Sequence, residues 1–185
     1  MIKFLGLLMR KKKVKPKTAI SIYVALLKKV ISEGFVEIKD FINNNNNLEK
    51  SPRLNDSDID WFSNVIFLGN INNLEIHFEE DEVVLLRKLI LDELYKNIEE
   101  NECQLAIEKF LDYENYFNDL IIQYESIINA MAYAIFEKYN INDFQGDLFK
   151  RKNKPNFIFI NELKNLLSHF FWNWEEYLKK NKLNF

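Results

Sequence analysis

The groups that build reactive centres stand in the wrong proportion here, with 28 Asp and Glu beside two His and one Cys. A helical di-iron centre needs a Glu-x-x-His step on each of two helices. The residues three before His77 and His169 are Leu74 and Leu166. A structural zinc site takes four nitrogen or sulfur ligands, and Cys103, His77 and His169 fall short of that number. Asp56, Asp58 and Asp60 alternate like the opening of a calcium loop, but Trp61 stands where such a loop turns on glycine and Phe67 where it closes on glutamate. Helix capping explains those aspartates better. Gly6, Gly34, Gly69 and Gly146 are scattered, so no phosphate-cradling loop is written, and there is no serine-nucleophile elbow. Cys103 lies in Asn-Glu-Cys-Gln-Leu, an acidic setting unlike the electropositive ones of reactive cysteines. Glu99 with Glu100, and Glu175 with Glu176, point about 100° apart on a helix and read as solvated charges. The sequence therefore predicts no catalytic residue, no metal site and no cofactor.

Binding chemistry is better represented. The formal charge of -3 conceals a segregation: residues 1–17 carry seven bases and no acid, whereas residues 75–125 carry four bases and fifteen acids. Such a layout steers an oppositely charged partner. The candidate acidic partner surface is Glu79, Glu80, Asp81 and Glu82, and the candidate basic contacts are Arg10, Lys11, Lys12 and Lys13 with Lys150, Arg151 and Lys152. A second candidate lies near the C-terminus. On a helical wheel the stripe of the last helix centres on Leu167 and Trp174, which puts Trp172 on the polar side with Asn165, His169, Glu162 and Glu176. Tryptophan is favoured at interface hot spots, so Trp172, His169, Glu176 and Asn165 are the candidate partner contact. The alternative is that another part of the same chain covers Trp172.

The elements that must position these residues are helical. In 185 residues, 48% hydrophobic and 15% aromatic, apolar side chains recur at spacings of three and four and no alternating stretch offers a convincing strand. The expected fold is a single all-α bundle of six or seven helices over residues 18–185, preceded by a basic arm over residues 1–17. A first helix is expected from Thr18 to Gly34 and a short second from Phe35 to Ile42, ended by the asparagine tract 43–47. A third starts near Asp56, is apolar nearly all round at Trp61, Phe62, Val65, Ile66, Phe67 and Leu68, and offers Gly69 for close approach of a neighbour. A fourth follows Glu79–Glu82. Phe110, Tyr113, Phe117, Leu120, Tyr124, Ile127, Met131 and Ala134 form a heptad seam, which predicts one long helix near 103–139. The last helix is expected near 157–180.

No transmembrane stretch or convincing signal peptide is present: Phe4 to Met9 is short and its charge follows instead of preceding. A lone thiol fits a reducing, cytoplasmic setting. The sequence thus leads to a non-enzymatic helical module, acidic and antitoxin- or immunity-like, acting on a protein partner or on a second copy of itself. Peripheral attachment to a membrane surface through the basic, apolar N-terminus is the alternative reading. An enzyme of unrecognised type or a nucleic-acid binder comes third, the latter disfavoured by the acidic middle and by Glu37 and Asp40 in the short second helix.

Overall fold

The computed structural model describes residues 11–185. The rhythm of bulky apolar residues winds these into eight α-helices and one small two-stranded ribbon, an all-α bundle. Helix α1 (Pro16–Asn43) begins on a proline, whose fixed φ suits a first helical position. Its stripe, from Ala19 and Ile20 through Tyr23, Leu27 and Phe35 to Ile42, is buried. Gly34 does not end the helix, as its residue type suggested. It lies inside α1 without a positive φ, and a Cβ there would stand 2.6 Å from Cζ of Phe170. The glycine is a notch for an aromatic ring. The helix stops instead at the asparagine tract, where Asn43 exchanges hydrogen bonds with the backbone of Leu54, accepting at 2.8 Å and donating at 2.9 Å.

A 3-10 turn at Asp56–Asp58 leads into α2 (Ile59–Asn72), and of the three aspartates Asp58 caps: it accepts from the Asn55 backbone amide while the Asn55 side chain accepts from that of Ser57, and Asp56 instead takes the Lys39 ammonium. Helix α2 is buried nearly all round, as its composition predicts. Helix α3 (Glu80–Tyr95) opens on a reciprocal cap between Glu79 and Glu82. It packs on α1, and its Arg87 makes a two-pronged pair with Glu114 of α4 (Glu100–Tyr124).

The heptad seam is not one helix. It breaks at Glu125, whose φ of 57° is left-handed, and at extended Ser126, and resumes as α5 (Ile127–Lys138). The two halves fold back on each other: Tyr124 stacks on Tyr133 at 3.6 Å, and the Tyr116 hydroxyl donates to Glu137 at 2.6 Å. The Asn129 amide donates to the carbonyl of Tyr124, satisfying an acceptor exposed at the break. Each half turns its seam to the same core, which is why the stripe reads through. Small residues Ala130, Ala132 and Ala134 let α5 sit between α2 and α4, where a Cβ on Gly69 of α2 would meet Met131 at 2.5 Å.

The basic candidates Lys150, Arg151 and Lys152 form the last turn of a short helix, α6 (Asp147–Lys152). The C-terminal helix likewise divides, into α7 (Phe157–Ser168) and α8 (Trp174–Lys180). Asn173 provides the local cause, because its side chain accepts from the Glu176 amide and so starts a new helix. The chain then forms β2 (Asn181–Leu183), which pairs in parallel with β1 (Lys12–Val14), Lys13 abreast of Lys182. Part of the expected N-terminal arm is therefore held in structure: residues 12–14 are a strand and residues 16–17 open α1. Arg10 lies outside the described residues.

Candidate partner-binding groove

Because α1 runs unbroken through Gly34, Glu33, Glu37 and Asp40 fall on one face, at spacings of four and three. That face is opposed by α7 and by the turn of the asparagine tract. Together they line two adjoining depressions that share Leu166 and His169. The larger, of about 530 Å³, is lined by Asp40, Phe41, Asn44 to Asn47, Glu162, Asn165, Leu166 and His169. The smaller, of about 350 Å³, adds Val30, Glu33, Gly34, Glu37, Ile38 and Phe170.

The chemistry of this groove is one-sided. Four carboxylates, those of Glu33, Glu37, Asp40 and Glu162, line it with five asparagines and, among the described residues, no lysine or arginine. Its floor is apolar, made by Phe41, Leu166, Ile38 and Phe170. The tract is folded, with Asn45 Oδ1 accepting from the backbone and side-chain amides of Asn47 at 2.9 and 3.0 Å while its own amide reaches Glu162 at 3.4 Å. Among the described residues Glu33 alone of the four is in an ion pair, with Lys29 at 3.8 Å on the open surface, which contributes little, while Lys39, bonded to Asp56, also feels the charge of Asp40. Beyond Val30 the same face of α1 continues as Leu26 and Ile22, each 45% exposed.

The corner between α7 and α8 closes the groove at one end, and Asn70 of α2 holds it. Its amide donates to the carbonyls of Ile66 and Phe170 at 2.9 and 3.0 Å, and its oxygen accepts from the Trp172 backbone N–H at 2.8 Å. Buried at 1% exposure, Asn70 is satisfied on every side.

The structure divides the expected C-terminal contact in two. Asn165 and His169 line the groove, whereas Trp172 and Glu176 border a separate depression of about 370 Å³ with Phe171 and Tyr177. Trp172 is not on a polar helix face, since no helix spans 169–173. Its ring lies edge-on to Tyr23 of α1 at 5.5 Å and its indole N–H is buried, so α1 covers one side of it, while the residue as a whole is half-buried and borders the depression. Glu176 is paired with Lys179 and Lys180, which hold its carboxyl below the ordinary range. The acidic cluster serves α3 locally: Glu79 and Glu82 form its cap, and Glu80 and Asp81 occupy its first turn, where the dipole favours them. Among the basic candidates, Lys150 and Arg151 are paired with Asp143 and Asp147, Lys152 is exposed at the end of α6, and Lys11, Lys12 and Lys13 lie exposed at the ribbon.

Sequence reasoning missed Glu33, Glu37 and Asp40 as one surface because Gly34 was read as a boundary. Their spacing was the available signal. Among the described residues no three His, Cys, Asp or Glu side chains gather where they could hold a metal ion, and no helix is long and apolar enough to cross a membrane. The chain matches no protein-family model, no curated protein and no solved structure.

Proposed function

We propose that this protein acts by protein–protein contact, receiving a basic segment of its partner in the groove between α1 and α7. The observation that carries this reading is the lining: four carboxylates and five amides over an apolar floor, with no lysine or arginine among the described residues that line it. Exposed carboxylates around such a floor accelerate encounter with a cationic partner and select against acidic ones, while affinity comes from apolar side chains seated on the floor. Phe41 and Leu166 offer that seat, and His169 and the asparagine amides supply hydrogen-bonding groups at its edge. An acidic module of the antitoxin or immunity kind, blocking a basic protein in the cytoplasm, is the role this chemistry suits.

The test is photo-crosslinking in cells from a reactive amino acid placed at Asn165, in the groove, and at Glu75, which is exposed outside it. The expected result is one discrete adduct from position 165 and none from 75, with the crosslinked peptide rich in Lys and Arg. An adduct peptide of acidic or neutral character would refute the proposal.

A further inference from the structure

The pairing of β1 with β2 brings the two ends of the described chain together, and both are cationic. Lys11, Lys12, Lys13, Lys15 and Lys17 are exposed on one side of the junction. Lys179, Lys180 and Lys182 are exposed on the other. Val14 and Leu183 of the ribbon turn to the core, so alternation sends Lys13 and Lys182 outward side by side, on strands about 4.8 Å apart. Like charges abreast on neighbouring strands repel. Among the described residues the nearest acid in ion-pair contact with any of these lysines is Glu176, bound to Lys179 and Lys180, and neither Lys13 nor Lys182 has a partner. Glu175 lies exposed on the same helix, and the acidic turn at Glu79 begins one residue after Phe78, whose ring meets that of Phe185 at 6.3 Å. The patch is thus bordered by acids but not neutralised by them.

We propose that the lysine ribbon of β1 and β2, with the exposed ring of Phe185 beside it, is a docking surface for an anionic lipid membrane. Three observations favour lipid over nucleic acid. Among the described residues every cation of the patch is a lysine, a point charge suited to a diffuse anionic surface and not the forked arginine suited to reading phosphates and bases; Arg10, outside them, adds one guanidinium to the eight lysines. Phe185, 48% exposed and following β2, is an apolar side chain of the kind that enters a headgroup layer. Ahead of Arg10 and the lysines the sequence Phe4-Leu-Gly-Leu-Leu-Met9 is apolar as well. Polybasic residues near an anionic leaflet each contribute about 1 kcal/mol, which is about five-fold in partition per lysine.

The experiment is co-sedimentation of the full chain with vesicles of phosphatidylcholine containing about one-third phosphatidylserine, and with phosphatidylcholine alone, alongside titration with a 30-nucleotide DNA. Binding is expected to the anionic vesicles only, weakening as salt rises. Lys13→Glu reverses one charge and should lower the partition about 25-fold, while the new pair with Lys182 leaves the thermal midpoint unchanged or higher. Lys182→Gln should lower it about five-fold without loss of stability, and distinguishes charge from folding should Lys13→Glu fold poorly. No anionic preference, partition indifferent to both substitutions, or tight binding to the DNA with none to vesicles would overturn the proposal. Neither outcome bears on the groove, which these substitutions do not touch.

Discussion

Replacing Asn70 with alanine tests how the corner that closes the groove is held. The carbonyl of Ile66 keeps its helical donor, so loss of that contact is cheap. The carbonyl of Phe170 and the N–H of Trp172 lose their partner at 3.0 and 2.8 Å in a site that is 1% exposed. Each buried group left unpaired costs about 1–3 kcal/mol, which puts the expected loss at about 3 kcal/mol after some water enters the space. For a chain of this size that lowers the melting temperature by about 6–12 °C. Asn72→Ala is the control: it also removes an amide bonded to a carbonyl one turn back, Leu68 at 3.0 Å, but reaches no other element. Alanine's helix propensity offsets that loss, so the change should stay within about 0.5 kcal/mol. Urea denaturation followed by circular dichroism reads both. Equal effects at the two positions would refute the assignment of the corner to Asn70. Asn70→Asp adds a pH signature. The new carboxyl can donate to Phe170 only when protonated, and burial beside carbonyl oxygens raises its pKa. With a folded-state value above the unfolded one, its stabilising contribution is present in acid and disappears as pH climbs through the raised pKa.

Three further outcomes follow from the packing. Gly34→Ala should destabilise by about 1–2 kcal/mol, because displacing the Phe170 ring outweighs the gain of about 1 kcal/mol in helix propensity; a more stable variant in thermal melts would show that the ring does not fill the notch. Tyr23→Phe should leave stability unchanged or raise it by about 1 kcal/mol, since the buried hydroxyl has no partner among the described residues; a loss beyond about 1 kcal/mol in denaturant titration would mean that the hydroxyl is satisfied in solution. Burial holds Tyr23, Tyr116 and Tyr139 above the ordinary value of 10.0, with Glu137 adding to the effect at Tyr116 and Asp58 at Tyr139. Their contribution to stability is complete below that value and falls as pH rises through the raised ones, so phenolate absorbance should show these three ionising only as the protein unfolds in alkali.

The legible parts of this fold were those written locally. Residues 61–68 announced a buried helix by being apolar nearly all round, and the aspartates before them carried a capping signal that Asp58 uses, although the N-cap itself is Asn55. The seam from Phe110 to Ala134 gave the buried residues but not the break, because Glu125 is neither Gly nor Pro and the stripe keeps its phase across the turn. At the other break Asn173 followed by Glu176 is a cap pattern, yet it sits inside an apolar period that overrode it. Gly34 shows how one residue type serves two ends: glycine terminates helices and also admits rings, and only Phe170, far along the chain, decides between them. The same holds for the ribbon, whose three-residue ladder joins segments at opposite ends of the sequence. Among the site residues, Asn165 and His169 came from a wheel drawn through a helix that ends at Ser168, and they share a groove because both belong to its last turn and cap.

The proposed cationic partner is met by the groove between α1 and α7, and the most direct measurement sets one acidic surface against another. The basic segment captured from Asn165, made as a peptide, is titrated calorimetrically against the wild type, against Glu37→Lys with Asp40→Lys, and against Glu80→Lys with Asp81→Lys. All four positions are exposed, and each pair changes the net charge by the same amount. Reversal in the groove should abolish binding, while reversal at the start of α3 should weaken it only as far as overall charge and salt dictate. Binding that survives in the first pair and vanishes in the second would contradict the account.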